Sequence, residues 1–239
     1  MAGLSARPLS AEVASGVRLW FTKSVISLVT IGAVGALSAG TARWGWGWAL
    51  VAVYFSQLAA TAVVLMPRSP DLLAERSRVQ PGTKRWDLPL TSMAVSVLPM
   101  AALVIAGLDF RRGWSAPMPL WGHLAALAVM LAGYAFTTWA MSVNAFFTST
   151  VRLQPERGQR VISGGPYRMM RHPGYLGAIA FQLGMPFLLG SWWAVIPSVV
   201  AAALFVLRTA LEDRVLQAEL PGYAAYARRV SYRLVPGIW

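Results

Sequence analysis

Apolar residues in this chain run in long blocks rather than in the narrow stripe of a soluble amphipathic helix. Val17–Ala39, Trp44–Met66, Leu88–Leu108 and Leu120–Val143 are four such blocks. Each is long enough to cross a bilayer as a helix, for which about 20 residues are needed. Only a few residues around Gly40–Arg43 join the first two, which predicts a tight antiparallel hairpin. Lys23 lies where its stem can reach back to the interface, and Trp44, Trp46 and Trp48 read as an interfacial aromatic belt. Leu176–Leu189 is apolar but spans only about 21 Å at 1.5 Å per residue. Gly190-Ser191 interrupts the pattern, and Trp192–Leu211 resumes it. These two segments predict a helical hairpin with its tip near Gly190, bent at Pro186 and Pro197.

The expected fold is all-α: a polytopic membrane bundle of about six membrane helices, counting the C-terminal hairpin, with a folded-back cytoplasmic tail. Two parts follow, a four-span region over 1–143 and a module of loop, hairpin and tail over 144–239. In the tail, Leu216, Leu220, Tyr223 and Tyr226 mark one face of a short interfacial helix broken near Pro221.

Composition agrees, with 56% apolar and 13% charged residues, too greasy for an ordinary soluble domain. All lysines and arginines except Arg43, Arg111 and Arg112 fall in the N-terminal segment, the Pro67–Asp87 loop, the Asn144–Pro173 loop and the tail from Arg208. The positive-inside rule then places both termini in the cytoplasm, with a bacterial or archaeal inner membrane as the expected location. A net charge of +12 is therefore explained by anionic lipid, and without a basic helix face or RNA-binding signature nucleic acid is not an expected partner. No cysteine is present, which removes disulfides, thiolate metal sites and a cysteine nucleophile; two distant histidines, His123 and His172, do not make a metal centre. Met1–Gly16 is too mixed and polar for a cleaved signal. The Pro67–Asp87 loop, with Asp71, Glu75 and five cations, reads as a solvated connector, and Asp109 and His123 as interfacial residues without a role.

One segment is not explained by lipid: Gly164 to Gly177, which sets Arg168, Arg171, His172, Tyr167 and Tyr175 between apolar stretches. A hairpin tipped at Gly190 brings its start beside Arg208, Glu212 and Asp213 at the end of the returning arm. Arg208 and Glu212, four apart, share a helix face and are placed to pair. Ionisable groups at membrane depth are costly and mark function by default, although Arg168 and Arg171 also suit interfacial anchors.

These residues, with Asn144, Phe147, Val151-Arg152-Leu153-Gln154, Arg157-Gly158, Gly165-Pro166-Tyr167 and Arg171-His172-Pro173-Gly174-Tyr175-Leu176-Gly177, resemble the isoprenylcysteine carboxyl methyltransferase and phospholipid methyltransferase superfamily. So does the ending Glu212-Asp213-Arg214-Val215-Leu216, Gly222-Tyr223, Tyr226, Arg233 and Pro236. The resemblance covers roughly the last 100 residues. It implies an integral membrane methyltransferase that uses S-adenosylmethionine without a Rossmann domain, acting on a lipophilic small molecule or lipid-modified acceptor that enters from the membrane lipids. Carried over by position, Tyr167, His172, Pro173, Tyr175, Leu176, Gly177, Glu212 and Asp213 contact the cofactor, and Asn144 the substrate. Arg171, Arg208 and Glu212 are the residues closest to catalysis, the arginines holding an anionic acceptor. The family pattern commonly has two glutamates where this chain has Glu212-Asp213. An NADPH-dependent membrane sterol or enone reductase and a non-catalytic transporter or scaffold are the rival readings.

Overall fold

The computed structural model describes residues 9–239; residues 1–8, and with them half of the Met1–Gly16 stretch read above as no cleaved signal, lie outside the described residues. Among the described residues the regular structure is entirely helical. Nine α-helices follow in order: α1 (Ala11–Ala39), α2 (Gly45–Leu65), α3 (Pro70–Arg76), α4 (Asp87–Ser92), α5 (Leu98–Arg112), α6 (Leu120–Val143), α7 (Pro173–Leu189), α8 (Val195–Glu219) and α9 (Tyr223–Arg229). A π-turn, Met93–Val97, joins α4 to α5 into one rod over Asp87–Arg112. Five helical stretches are long and apolar enough to cross a membrane: α1, α2, the α4–α5 rod, α6 and α8; α7 has 17 residues and is shorter. Val25, Ile26, Val29 and Leu37 of α1 are exposed, as an outer helix facing lipid requires.

Helix ends follow the local chemistry. Ser10 caps α1 by accepting from the Val13 N–H, and Gly40 ends it with φ 68°. Gly190, at φ 74°, ends α7 and turns the chain into α8, which is the expected hairpin. The most intimate packing is between α6 and α7, where glycine is obligatory. A Cβ on Gly133 would stand 2.8 Å from the Gly177 carbonyl oxygen and 3.1 Å from the Ala180 Cβ. Gly133→Val should therefore cost at least about 1–3 kcal/mol by overpacking. Thermal unfolding in detergent checks this, and a midpoint equal to wild type would contradict it.

The core draws on both parts of the chain: Leu50, Ala102, Met130, Phe181 and Met185 belong to one buried cluster. Two expectations are corrected here. Trp44 is buried and stacks on Phe110, and Trp46 stacks on His123 at 4.1 Å, so of the three only Trp48 stands half exposed. His123 and Asp109 are likewise buried. His123 Nδ1 bonds the Leu188 carbonyl at 2.8 Å, while Asp109 accepts from the Ser115 N–H at 2.7 Å and from the Ser191 hydroxyl at 2.5 Å. Together they lock the far end of the bundle to the α7–α8 turn.

The Pro67–Asp87 segment is no solvated connector either. Leu72 and Leu73 on α3 are fully buried, and the segment's acids face the Asn144–Pro173 loop: Glu75 pairs with Arg152 at 2.7 Å and Asp71 with Arg157. Lys84 donates its N–H to the Val151 carbonyl at 2.9 Å and its ammonium to Glu219 at 2.8 Å. Opposite charges on two irregular segments thus make one polar lid over the bundle end.

Candidate active site

Asp213 organises the charged end. Its carboxylate is fully buried and accepts from both Arg171 Nε (2.7 Å) and Arg171 Nη2 (2.9 Å), a bidentate pair. Arg233 Nε (2.9 Å), Gln217 Nε2 (2.7 Å) and the Tyr223 hydroxyl (3.1 Å) also donate, and His172 Nε2 lies at 3.2 Å. The remaining Arg171 donor, Nη1, reaches the carbonyls of Val230 and Ser231 at 2.7 and 2.9 Å. Backbone pairing completes the clasp: the N–H groups of Arg171 and His172 donate to the carbonyls of Tyr232 and Arg233 at 3.0 and 2.9 Å. The tail segment Tyr232–Arg233 thus pairs with the arginine–histidine element. Burial opposes the Arg171 charge, but the hydrogen bonds it donates to Asp213 override this and raise the guanidinium pKa.

Arg208 is held by a separate buried pair. Its Nε and Nη2 donate to Asp87 at 2.8 and 3.1 Å, and Asp87 also accepts from the Val151 N–H at 2.8 Å. The expected i,i+4 pair between Arg208 and Glu212 is not formed. Glu212 instead accepts from the Tyr175 hydroxyl at 2.5 Å, while Arg208 lies over the Tyr175 ring at 5.2 Å. Each arginine is thus neutralised by its own carboxylate, and neither is a free cation for an anionic acceptor.

These groups border a cavity of about 470 Å³, within the range of small-molecule sites. Of the residues singled out from sequence, Asn144, Tyr167, Arg171, His172, Pro173, Tyr175, Arg208 and Glu212 lie on its wall. Asn144 Nδ2 donates to the Tyr167 hydroxyl at 3.0 Å, and burial raises the pKa of that phenol. Leu176, Gly177 and Asp213 do not line the cavity: Gly177 faces α6, and Asp213 is consumed by the clasp. Among the described residues, no three His, Asp or Glu side chains are grouped to hold a metal.

Sequence reasoning missed two cations and a deep aromatic wall. Arg76 and Arg160 line the cavity and have no carboxylate partner among the described residues. Burial lowers the Arg76 guanidinium to about 10, and it leans on the Phe147 ring at 5.4 Å. At the apolar end stand Tyr54, Tyr134 and Phe181, with Tyr134 stacked on Phe181 at 4.4 Å and Tyr54 edge-on to it at 5.0 Å. Nothing local in the sequence marked Arg76; the aromatics fall on α2, α6 and α7 and meet only in the folded bundle.

Residues 126–218 match the isoprenylcysteine carboxyl methyltransferase (ICMT) family, which bears out the resemblance seen in the sequence. The matched stretch contains α6, the arginine–histidine element, α7 and the acidic pair on α8. The chain is also similar to the uncharacterized protein YpbQ of Bacillus subtilis strain 168, at 25% identity over 174 residues, covering 71% of this chain and 96% of that protein.

Proposed function

We propose that this chain, whose residues 126–218 match the isoprenylcysteine carboxyl methyltransferase family, transfers a methyl group from S-adenosylmethionine to a lipophilic acceptor at the membrane–cytoplasm interface. One observation carries the reading: a single cavity joins a charged end, bordered by His172, Tyr175 and Glu212, to the apolar wall of Tyr54 and Phe181. In the proposed arrangement six helices lie in the membrane, α7 being the short one, and both termini face the cytoplasm. Membrane lipids surround the bundle, and the acceptor enters from them.

The residues present fit the cofactor. Among the described residues Glu212 has no cationic partner and is suited to hydroxyl or ammonium donors, while Arg76 and Arg160 have no carboxylate partner and are suited to a carboxylate. When bound, S-adenosylmethionine supplies a methyl carbon already activated by its sulfonium. The protein's own work is then alignment and electrostatics. Tyr175 holds Glu212 in place through its hydroxyl. The Asp213 carboxylate beside His172 Nε2 favours the tautomer protonated there, which leaves Nδ1 as a lone-pair acceptor. A carboxylate acceptor needs no base; an amine or hydroxyl acceptor loses a proton, which Glu212 or His172 takes. Asn144, through Tyr167, positions the substrate side of the cavity.

Calorimetric titration of the detergent-purified protein with S-adenosylhomocysteine, with NADPH in parallel, tests this. Micromolar binding is expected, weakened about 10–100-fold in Glu212→Ala by loss of hydrogen bonds to a charged group. His172→Ala should weaken it in the same direction. Binding of NADPH alone moves the protein to the reductases, and binding of neither removes the cofactor reading.

A further inference from the structure

Gln182 sits two turns beyond Tyr175 on α7, about 10 Å deeper at 1.5 Å per residue. Its side chain lines the cavity and is only 5% exposed. Nε2 donates to the Ala94 carbonyl at 3.2 Å, and Oε1 has no hydrogen-bond partner. The amide cannot be turned round, because Oε1 would then face another acceptor.

The reason Ala94 needs this donor is written in the backbone. In the π-turn the Leu98 N–H donates to Met93, so the next carbonyl, Ala94, would look to residue 99. That residue is Pro99, which has no N–H. Gln182 is thus held by one end at a carbonyl the helix cannot satisfy, with its other end left open. The phenol oxygens of Tyr54 and Tyr134, on the same cavity wall, also make no hydrogen bond among the described residues. A buried acceptor without a partner costs free energy, more so where lipid excludes water.

We propose that Gln182 Oε1 is a recognition point for the cavity's apolar ligand, accepting a hydrogen bond from a hydroxyl or N–H carried about 10 Å from the Glu212–Tyr175 end. The inference rests on the acceptor-binding reading above. It narrows the substrate class from any lipophile to an amphiphile with a donor group on its apolar body. A plain hydrocarbon chain leaves Oε1 unsatisfied; Tyr54 and Tyr134 can reinforce the same group as donors or acceptors.

The test uses the full-length protein in lipid nanodiscs and two probes, n-dodecanol and n-dodecyl methyl ether, which share a chain and an oxygen but differ in the donor. Equilibrium binding should favour the alcohol about fivefold, the worth of one net hydrogen bond. In Gln182→Met, of similar volume but without the acceptor, that preference should vanish. Equal binding of the two probes by the wild-type protein overturns the proposal, because a trapped water then satisfies Oε1. So does failure of both probes to bind, or a preference that survives in Gln182→Met. S-adenosylhomocysteine titrated into the same samples separates the two readings. Its failure to bind, with the alcohol preference intact, removes the methyltransferase assignment and leaves the subsite standing. If Gln182→Met does not fold, Gln182→Leu replaces it, and an alcohol preference that survives in that variant overturns the proposal.

Discussion

Asp213→Ala should lose about 3–5 kcal/mol of stability, because it strands buried cations that were paired. Arg171, 6% exposed, would keep its carbonyl contacts to Val230 and Ser231 but lose both carboxylate bonds. Arg233, His172, Gln217 and Tyr223 would lose their shared acceptor in the same step. Thermal unfolding followed by tryptophan fluorescence should show a large drop in midpoint, and limited proteolysis should cut between α9 and Trp239 far faster than in wild type. Glu212→Ala, one residue away, breaks only the bond from Tyr175. It should leave the midpoint and the proteolysis pattern near wild type while weakening cofactor binding. Matching behaviour of the two variants would refute this division of labour between adjacent acids.

A second large effect is expected at Asp87. Asp87→Ala leaves Arg208, 3% exposed, without a counter-charge and the Val151 N–H without its acceptor. The loss should again be about 3–5 kcal/mol. The double variant Asp87→Ala/Arg208→Met should recover part of it, since removing both charges abolishes the stranded cation. Unfolding midpoints of the two single variants and the double check the cycle. A double variant less stable than either single one would show that Arg208 is held mainly by the Tyr175 ring and the Ser149 carbonyl, not by Asp87.

How much of this was legible beforehand depended on the range of each signal. Apolar blocks and the Gly190 break were local, so the helices and the hairpin could be read directly; α6 begins and ends at Leu120 and Val143 as expected. The cavity residues near His172 came from a motif that is contiguous in sequence. Asp87 was invisible as the partner of Arg208, because the two are 121 positions apart and no pattern links them. Periodicity instead suggested Glu212, which shares a helix face with Arg208 but turns to Tyr175. Adjacency misled at Asp213 as well: neighbours on a helix point about 100° apart, so one acid faces the cavity and the other the clasp. Gln182 did leave a trace, a lone amide in the apolar run Leu176–Leu189, whose meaning appears only once Pro99 and the π-turn are in place.

The glycine contact between α6 and α7 also bears on the proposed entry of an acceptor from the bilayer. With Gly133 against the Gly177 carbonyl, backbone meets backbone on that flank, and no acyl chain passes between them. On the other flank, Tyr54, Leu58 and Thr61 of α2 and Thr91 and Val95 around the π-turn all border the cavity, yet α2 does not pack extensively on α4 or on the π-turn. On the proposed reading, that seam is the doorway for a membrane-borne acceptor. Gln182, bonded to Ala94 of the π-turn, lines the cavity on that side, so an acceptor taking the proposed route would meet the deep acceptor before Glu212.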